Sequence, residues 1–232
     1  MLTIIQKFVS GLERLIHRIT TGDILSEVSS NFSRTLTAWL SIGSTYTYLT
    51  ALRLEKKKKS ENLDLLIKPF SIRNIMKAQN NIPFPPEKEE KTRYMWRDIE
   101  RRAKKYGLPV PKTPVPYPLQ EFDLANKIGL VANKEGWYLA YFRETYKVWF
   151  LEGKEAGSEQ NLEETFKNLE KNLVQVLEKS QQQGIANEYN ANTKEALTKG
   201  IFGAPSFTVE NEIFWGDDRL EDAIECLRES EK

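Results

Sequence analysis

The chain has 232 residues, with 34 basic and 33 acidic side chains and a net charge of +1; overall charge therefore argues against nucleic acid as the main partner. Its one cysteine, Cys226, excludes an intrachain disulfide, a Cys-x-x-Cys motif and a thiolate zinc site, and with His17 as the one histidine, Ser-His-Asp chemistry and multi-histidine metal sites are not expected. Chemistry in this chain must come from hydroxyls, carboxylates, lysines, backbone groups or a borrowed reagent.

No run reaches the roughly 18 uninterrupted apolar residues of a membrane span. Residues 1–20 are apolar at positions 2, 4, 5, 8, 9, 12, 15, 16 and 19. That period predicts an amphipathic helix packed on the body or on a partner chain. A membrane-surface anchor and a targeting peptide are the lesser readings, and a secretory signal is not expected.

After the polar break around Ser29, Ser30 and Asn31, residues 35–42 are β-prone and Gly43 ends them. Residues 45–54 read as a helix stopped by the lysine run 56–59, a solvated helix end and turn. Residues 63–70 are of strand length, so the start reads as a right-handed parallel βαβ unit. Residues 72–81 and 87–106 read as helices, with Pro83, Pro85 and Pro86 in an extended loop between them. Five prolines within 109–118 exclude helix and central strand there. Residues 120–133, 135–152 and 160–183 predict three more helices. The middle one carries Trp137, Tyr138, Tyr141, Phe142, Tyr146, Trp149 and Phe150 at helical spacing, a core stripe rather than a cofactor slot. Residues 188–199 then read as a helix, 205–210 and 212–215 as a hairpin with Asn211 as its αL-tolerant position, and Asp217 onward as a capped helix.

This order predicts an α/β, thioredoxin-like fold with an inserted all-helical domain. The boundaries are 1–33 for the amphipathic extension, 34–70 and 188–232 for the thioredoxin-like part, and 71–187 for the insertion.

Two separated segments carry a more specific likeness. Ser44-Thr45-Tyr46-Thr47-Tyr48-Leu49 lies at the first strand–helix junction, and Gly200-Ile201-Phe202-Gly203-Ala204-Pro205-Ser206-Phe207 is followed by Phe214-Trp215-Gly216-Asp217-Asp218-Arg219-Leu220. With Tyr94-Met95-Trp96-Arg97-Asp98 between them, they resemble the 2-hydroxychromene-2-carboxylate isomerase family, close to kappa-class glutathione transferases and of DsbA-like architecture. The resemblance covers roughly residues 35–230. Thr45 stands where the family usually has proline, and Ser41 where it commonly has aspartate.

At that junction redox relatives place two cysteines; here stand Ser44 and Thr47. Disulfide exchange needs a thiolate there. A serine hydroxyl beside a helix N-terminus instead favours a bound thiolate, although Ser44 also reads as a plain N-cap. The resemblance implies that the thiol is glutathione's and that Ser44 is the catalytic residue. It further implies that Pro205 is cis, that Ala204 offers its backbone to the tripeptide, and that Asn81, Asp217 and Asp218 bind it. The alternative for Asp218 is a capping box with Glu221, and for Asn81 a turn. On a cleft-facing helix Arg97 suits a substrate carboxylate, and a structural ion pair is the equal alternative; Asp98 is a further weak candidate.

The implied activity is a glutathione-dependent isomerase: a thiolate adds to an α,β-unsaturated aromatic keto acid, rotation follows, and elimination returns the thiol. Alternatives are a kappa-type transferase or a non-catalytic glutathione-binding relative. A homodimer and a cytoplasmic location are expected, with no metal.

Overall fold

A computed structural model of the chain describes residues 35–81, 84 and 88–229. The expected extension 1–33 and the proline loop at Pro83, Pro85 and Pro86 lie outside the described residues. The elements are β1 (Leu36–Leu40), α1 (Thr47–Ser60), β2 (Leu65–Pro69), α2 (Ile72–Ala78), α3 (Glu89–Lys105), α4 (Phe122–Lys134), α5 (Tyr138–Glu152), α6 (Glu159–Asn168), α7 (Leu173–Ser180), α8 (Gln183–Thr198), β3 (Ser206–Val209), β4 (Glu212–Trp215), a 3-10 turn (Asp217–Arg219) and α9 (Leu220–Glu229).

The strands form one mixed sheet in the order β2-β1-β3-β4. β1 and β2 are parallel, while β1–β3 and β3–β4 are antiparallel. This is the thioredoxin-like order, with the additional helices inserted between β2 and β3. β1 is central and nearly all buried. Its Trp39 indole donates across the sheet to Thr208 Oγ1 at 3.1 Å, satisfying a polar group that burial would otherwise penalise. Pro69, which has no N–H to donate, ends the edge strand β2.

The aromatic helix α5 is core, as its spacing predicts. Tyr141, Phe142, Tyr146 and Trp149 are fully buried. Phe150 stacks on Tyr48 of α1, with ring centroids 4.4 Å apart. This face ties the inserted helices to the helix that follows β1.

Several expectations about boundaries are corrected. α1 does not stop at the lysine run but continues through it to Ser60. Lysines in a last turn complement the negative end of the helix dipole, and Lys59 also reaches Glu55 one turn back at 2.8 Å. The single helix expected over 160–183 is two. Glu170 has φ 54°, and the Asn172 side chain accepts from Gln175 N–H at 3.0 Å to start α7 afresh. α8 begins at Gln183 rather than 188. In the β3–β4 turn the left-handed residue is Glu210, φ 53°, not Asn211. The last helix opens on the 3-10 turn, with no side-chain cap at Gly216.

Candidate functional site

The end of β1 leads into a short loop and then α1. Its first turn beyond the strand is held by Asn126 of α4, which accepts from Ile42 N–H at 2.8 Å and donates to Ile42 C=O at 2.9 Å. Gly43 follows with φ 122°, and a Cβ there would lie 2.5 Å from the Phe122 ring. Only glycine meets both conditions. Ser44 comes next. It is not an N-cap: the N-cap residue is Tyr46, with no side-chain cap bond. The Ser44 hydroxyl donates instead to Ala204 C=O at 2.6 Å.

Ala204 precedes a cis peptide bond to Pro205, as the resemblance implies. The loop around it is fixed on both sides: Ser206 Oγ donates to Gly203 C=O at 2.9 Å, and Gly216 N–H donates to Pro205 C=O at 3.0 Å. The Trp215 indole lies directly on Gly203, where a Cβ would sit 2.0 Å from its Nε1.

These loops border a cleft of about 580 Å³. Ser44, Asn81, Ala204, Asp217 and Asp218 all line it, so five residues spread over 175 positions are brought together. Their settings differ. The Asp217 side chain is buried. Its Oδ1 accepts from Thr50 at 3.1 Å, and Arg53 and Arg102 lie within 4 Å of Oδ2. Burial pushes its carboxyl up, opposed by Arg53, Thr50, Tyr106 and Arg102. Asp218 is 43% exposed at the cleft, where it accepts from Arg219 at 3.2 Å and has Arg102 at 3.8 Å. The alternative for Asp218, a capping box with Glu221, does not form: Glu221 is taken up by Arg53 at 2.7 Å.

Asn81 lines the cleft and is exposed, with its N–H on Met76 C=O at 2.8 Å. Of the weaker candidates, Asp98 lines the cleft and accepts from the Tyr46 hydroxyl at 3.2 Å. Burial and that carboxylate raise the Tyr46 pKa, so the phenol stays protonated. Arg97 points away and pairs with Glu100 at 2.7 Å, the structural alternative.

Sequence reasoning missed two cations, Arg102 and Lys91, which also line the cleft. Arg102 lies one turn beyond Asp98, so helical spacing from that residue was the available signal. The walls also carry Tyr46, Met95, Tyr117, Phe202 and Trp215, so the cleft lining combines apolar and aromatic groups with charged ones. Among the described residues no cluster of three His, Cys, Asp or Glu suits a metal ion. None of the described helices is long and apolar enough to cross a membrane.

The arrangement suits a charged ligand with an acidic hydrogen-bond partner near Ser44. The residues present fit a thiol tripeptide: a hydroxyl at Ser44, the cleft-lining main chain of Ala204, Asp218 for an ammonium, and Arg102 and Lys91 for carboxylates.

Comparison with known proteins gives a consistent result. The family model of the DSBA-like thioredoxin domain matches residues 35–227. A 2-hydroxychromene-2-carboxylate isomerase from Sphingobium xenophagum is 24% identical over 191 residues, covering 82% of this chain and 95% of the relative. A solved 2-hydroxychromene-2-carboxylate isomerase superposes with a TM-score of 0.72 at 21% identity, covering 84% of this chain and 97% of that one. The cytosolic disulfide reductase DsbM from Pseudomonas aeruginosa, solved with GSH, gives 0.54 at 12% identity, covering 84% and 98%.

Proposed function

We propose, from the premise that the chain belongs to the DsbA-like thioredoxin domain family, that it is a glutathione-dependent isomerase of 2-hydroxychromene-2-carboxylate-like aromatic keto acids. The observation that carries this reading is Ser44. It stands at the strand–helix junction of a fold whose disulfide-exchanging members need a thiol there, and its hydroxyl reaches Ala204 at 2.6 Å beside the cleft. The named isomerase relatives and the apolar cleft wall support it further.

Bound glutathione supplies a thiolate that adds reversibly to a conjugated carbon. The chain's own residues do the rest. Ser44 donates a hydrogen bond where the sulfur charge sits, and the start of α1 adds partial positive charge. Ala204 presents its main chain to the ligand's peptide, as an added strand would. Asp218 takes the ammonium, and Asn81 a polar group of the tripeptide. Asp217 acts from behind, holding Arg102 and Arg53 in place through its buried carboxylate. The apolar wall suits a planar aromatic substrate.

The test is calorimetric titration with glutathione, followed by turnover of a 2-hydroxychromene-2-carboxylate with and without it. Binding, and isomer formation only in the presence of glutathione, with the thiol recovered intact, is the expected result. Release of a glutathione conjugate instead would identify a transferase. Absence of binding would overturn the reading.

A further inference from the structure

Ser44 is gripped from two directions. Its side chain holds the Ala204 carbonyl, and its own carbonyl accepts from the Tyr146 hydroxyl at 2.8 Å. The same Tyr146 oxygen accepts from Gly43 N–H at 3.3 Å. Tyr146 is fully buried on α5, roughly a hundred residues downstream in the sequence. Its ring is packed against Phe142, Trp149 and Phe150, with centroids 5.2 to 5.8 Å away, so the hydroxyl has little freedom to move. The sequence assigns Tyr146 to the core, and core packing explains its ring. It does not explain a phenol aimed at the Ile42–Gly43 and Ser44–Thr45 peptide groups, which flank the Gly43–Ser44 segment.

We propose that Tyr146 is a positioning residue for Ser44, through which the inserted helices set the acidity of the thiol in the cleft. The proposal rests on the glutathione reading and deepens it. With Asn126 fixing Ile42 and Tyr146 fixing Gly43 and Ser44, the loop has its main-chain groups held from the α4–α5 side. The peptide plane following Ser44 is thereby set, and with it the direction of the Ser44 Cα–Cβ bond. A hydrogen bond to sulfur depends steeply on donor angle. Loss of the Tyr146 hydroxyl leaves the part-buried Ser44 carbonyl without this donor and frees the loop to turn, so the Ser44 donor is aimed less well.

The test follows the thiolate absorbance of bound glutathione against pH in wild type, Tyr146→Phe, Ser44→Ala and the double variant. Tyr146→Phe is expected to lower the thiolate-to-thiol ratio at neutral pH by about three- to tenfold, the effect of one ordinary hydrogen bond. In the Ser44→Ala background the same change is expected to do nothing, because Tyr146 acts only through Ser44. An equal shift in both backgrounds, or a Tyr146→Phe curve that overlays wild type, would overturn the proposal while leaving the glutathione reading intact. A wild-type protein that binds glutathione without lowering its thiol pKa, or does not bind it, would overturn both. Where Tyr146→Phe does not fold, fluorotyrosine at position 146 keeps the ring and retunes only the hydroxyl; an unmoved titration would then overturn the proposal, and a shift confined to the protein retaining Ser44 would support it.

Discussion

The Ser44 hydroxyl donates to the Ala204 carbonyl at 2.6 Å, although the two residues are 160 positions apart. A hydroxyl carries one proton. In the free protein that proton is given to the carbonyl, and in the proposed complex it faces sulfur. A ligand amide N–H that takes over the Ala204 carbonyl releases it.

This exchange predicts a dependence on one atom of the ligand. A glutathione analogue methylated on the cysteinyl nitrogen cannot donate to Ala204. It is expected to bind about tenfold more weakly, at roughly 0.5–1.5 kcal/mol for the lost bond plus crowding, and its bound thiol is expected to titrate closer to the free value. Calorimetry and thiolate absorbance measure the two effects. Equal thiol pKa values for the analogue and glutathione would separate Ala204 from Ser44.

Gly43→Ala is expected to destabilise the protein. The backbone at φ 122° disfavours any side chain, and the new Cβ would meet Phe122 at 2.5 Å. Strain of this kind costs roughly 1–3 kcal/mol. Thermal melting should show a drop of several degrees, and Phe122→Ala in the same chain should not restore it fully, because the backbone term remains. An unchanged melting temperature would contradict the geometry of this loop.

A pH prediction comes from the Arg53–Glu221 pair behind the cleft. Burial pushes the Glu221 carboxyl up, but Arg53 and Lys57 outweigh it and hold it below the usual carboxylate range. A group depressed in the folded state stabilises above its unfolded pKa, about 4.3, and that contribution is lost as pH falls through the lower folded value. Glu221→Gln is therefore expected to melt below wild type at pH 7, with the gap closing under acid conditions. Buried Asp217, whose pKa is raised, works with the opposite sign and is common to both proteins. A gap that is constant from pH 7 to pH 3 would show that the charge of Glu221 contributes nothing.

The protein is expected to be inert in insulin reduction, with or without Cys226→Ala. The junction carries Ser44 and Thr47, and Cys226 lies on α9, away from the cleft lining. Turnover that survives the cysteine substitution would overturn the assignment of the junction.

Much of this was legible in the sequence because short-range signals carried it. Gly43 marks the turn that follows β1, although the strand itself ends earlier, at Leu40; the prolines at 109–118 exclude helix, and the aromatic period of α5 gives its buried face. The loop residues Ser44, Ala204 and Asp218 were recognisable from motifs, and the fold brings them to one cleft. What stayed hidden depends on long-range contact. The lysine run looked like a stop because local charge repulsion is visible in sequence, whereas the dipole and the Glu55 partner are not. Arg97 and Arg102 differ only in which side of α3 they occupy. Asp217 and Asp218 are adjacent, yet one is buried against Arg53 and the other is exposed. Asn126 and Tyr146 gave no signal beyond helix and core.

The central claim is that the Ser44 hydroxyl acidifies a glutathione thiol, and the most direct measurement is the thiolate absorbance of bound glutathione against pH in wild type and Ser44→Ala. A hydrogen bond to a charged group is worth roughly 1.5–3 kcal/mol, which at about 1.36 kcal/mol per pKa unit predicts a rise of about one to two units on removing the hydroxyl. Turnover near neutral pH should fall by about 10- to 150-fold, with affinity for the tripeptide changing far less. Superimposable titration curves in the two proteins would contradict the account and reduce Ser44 to a partner of the Ala204 carbonyl.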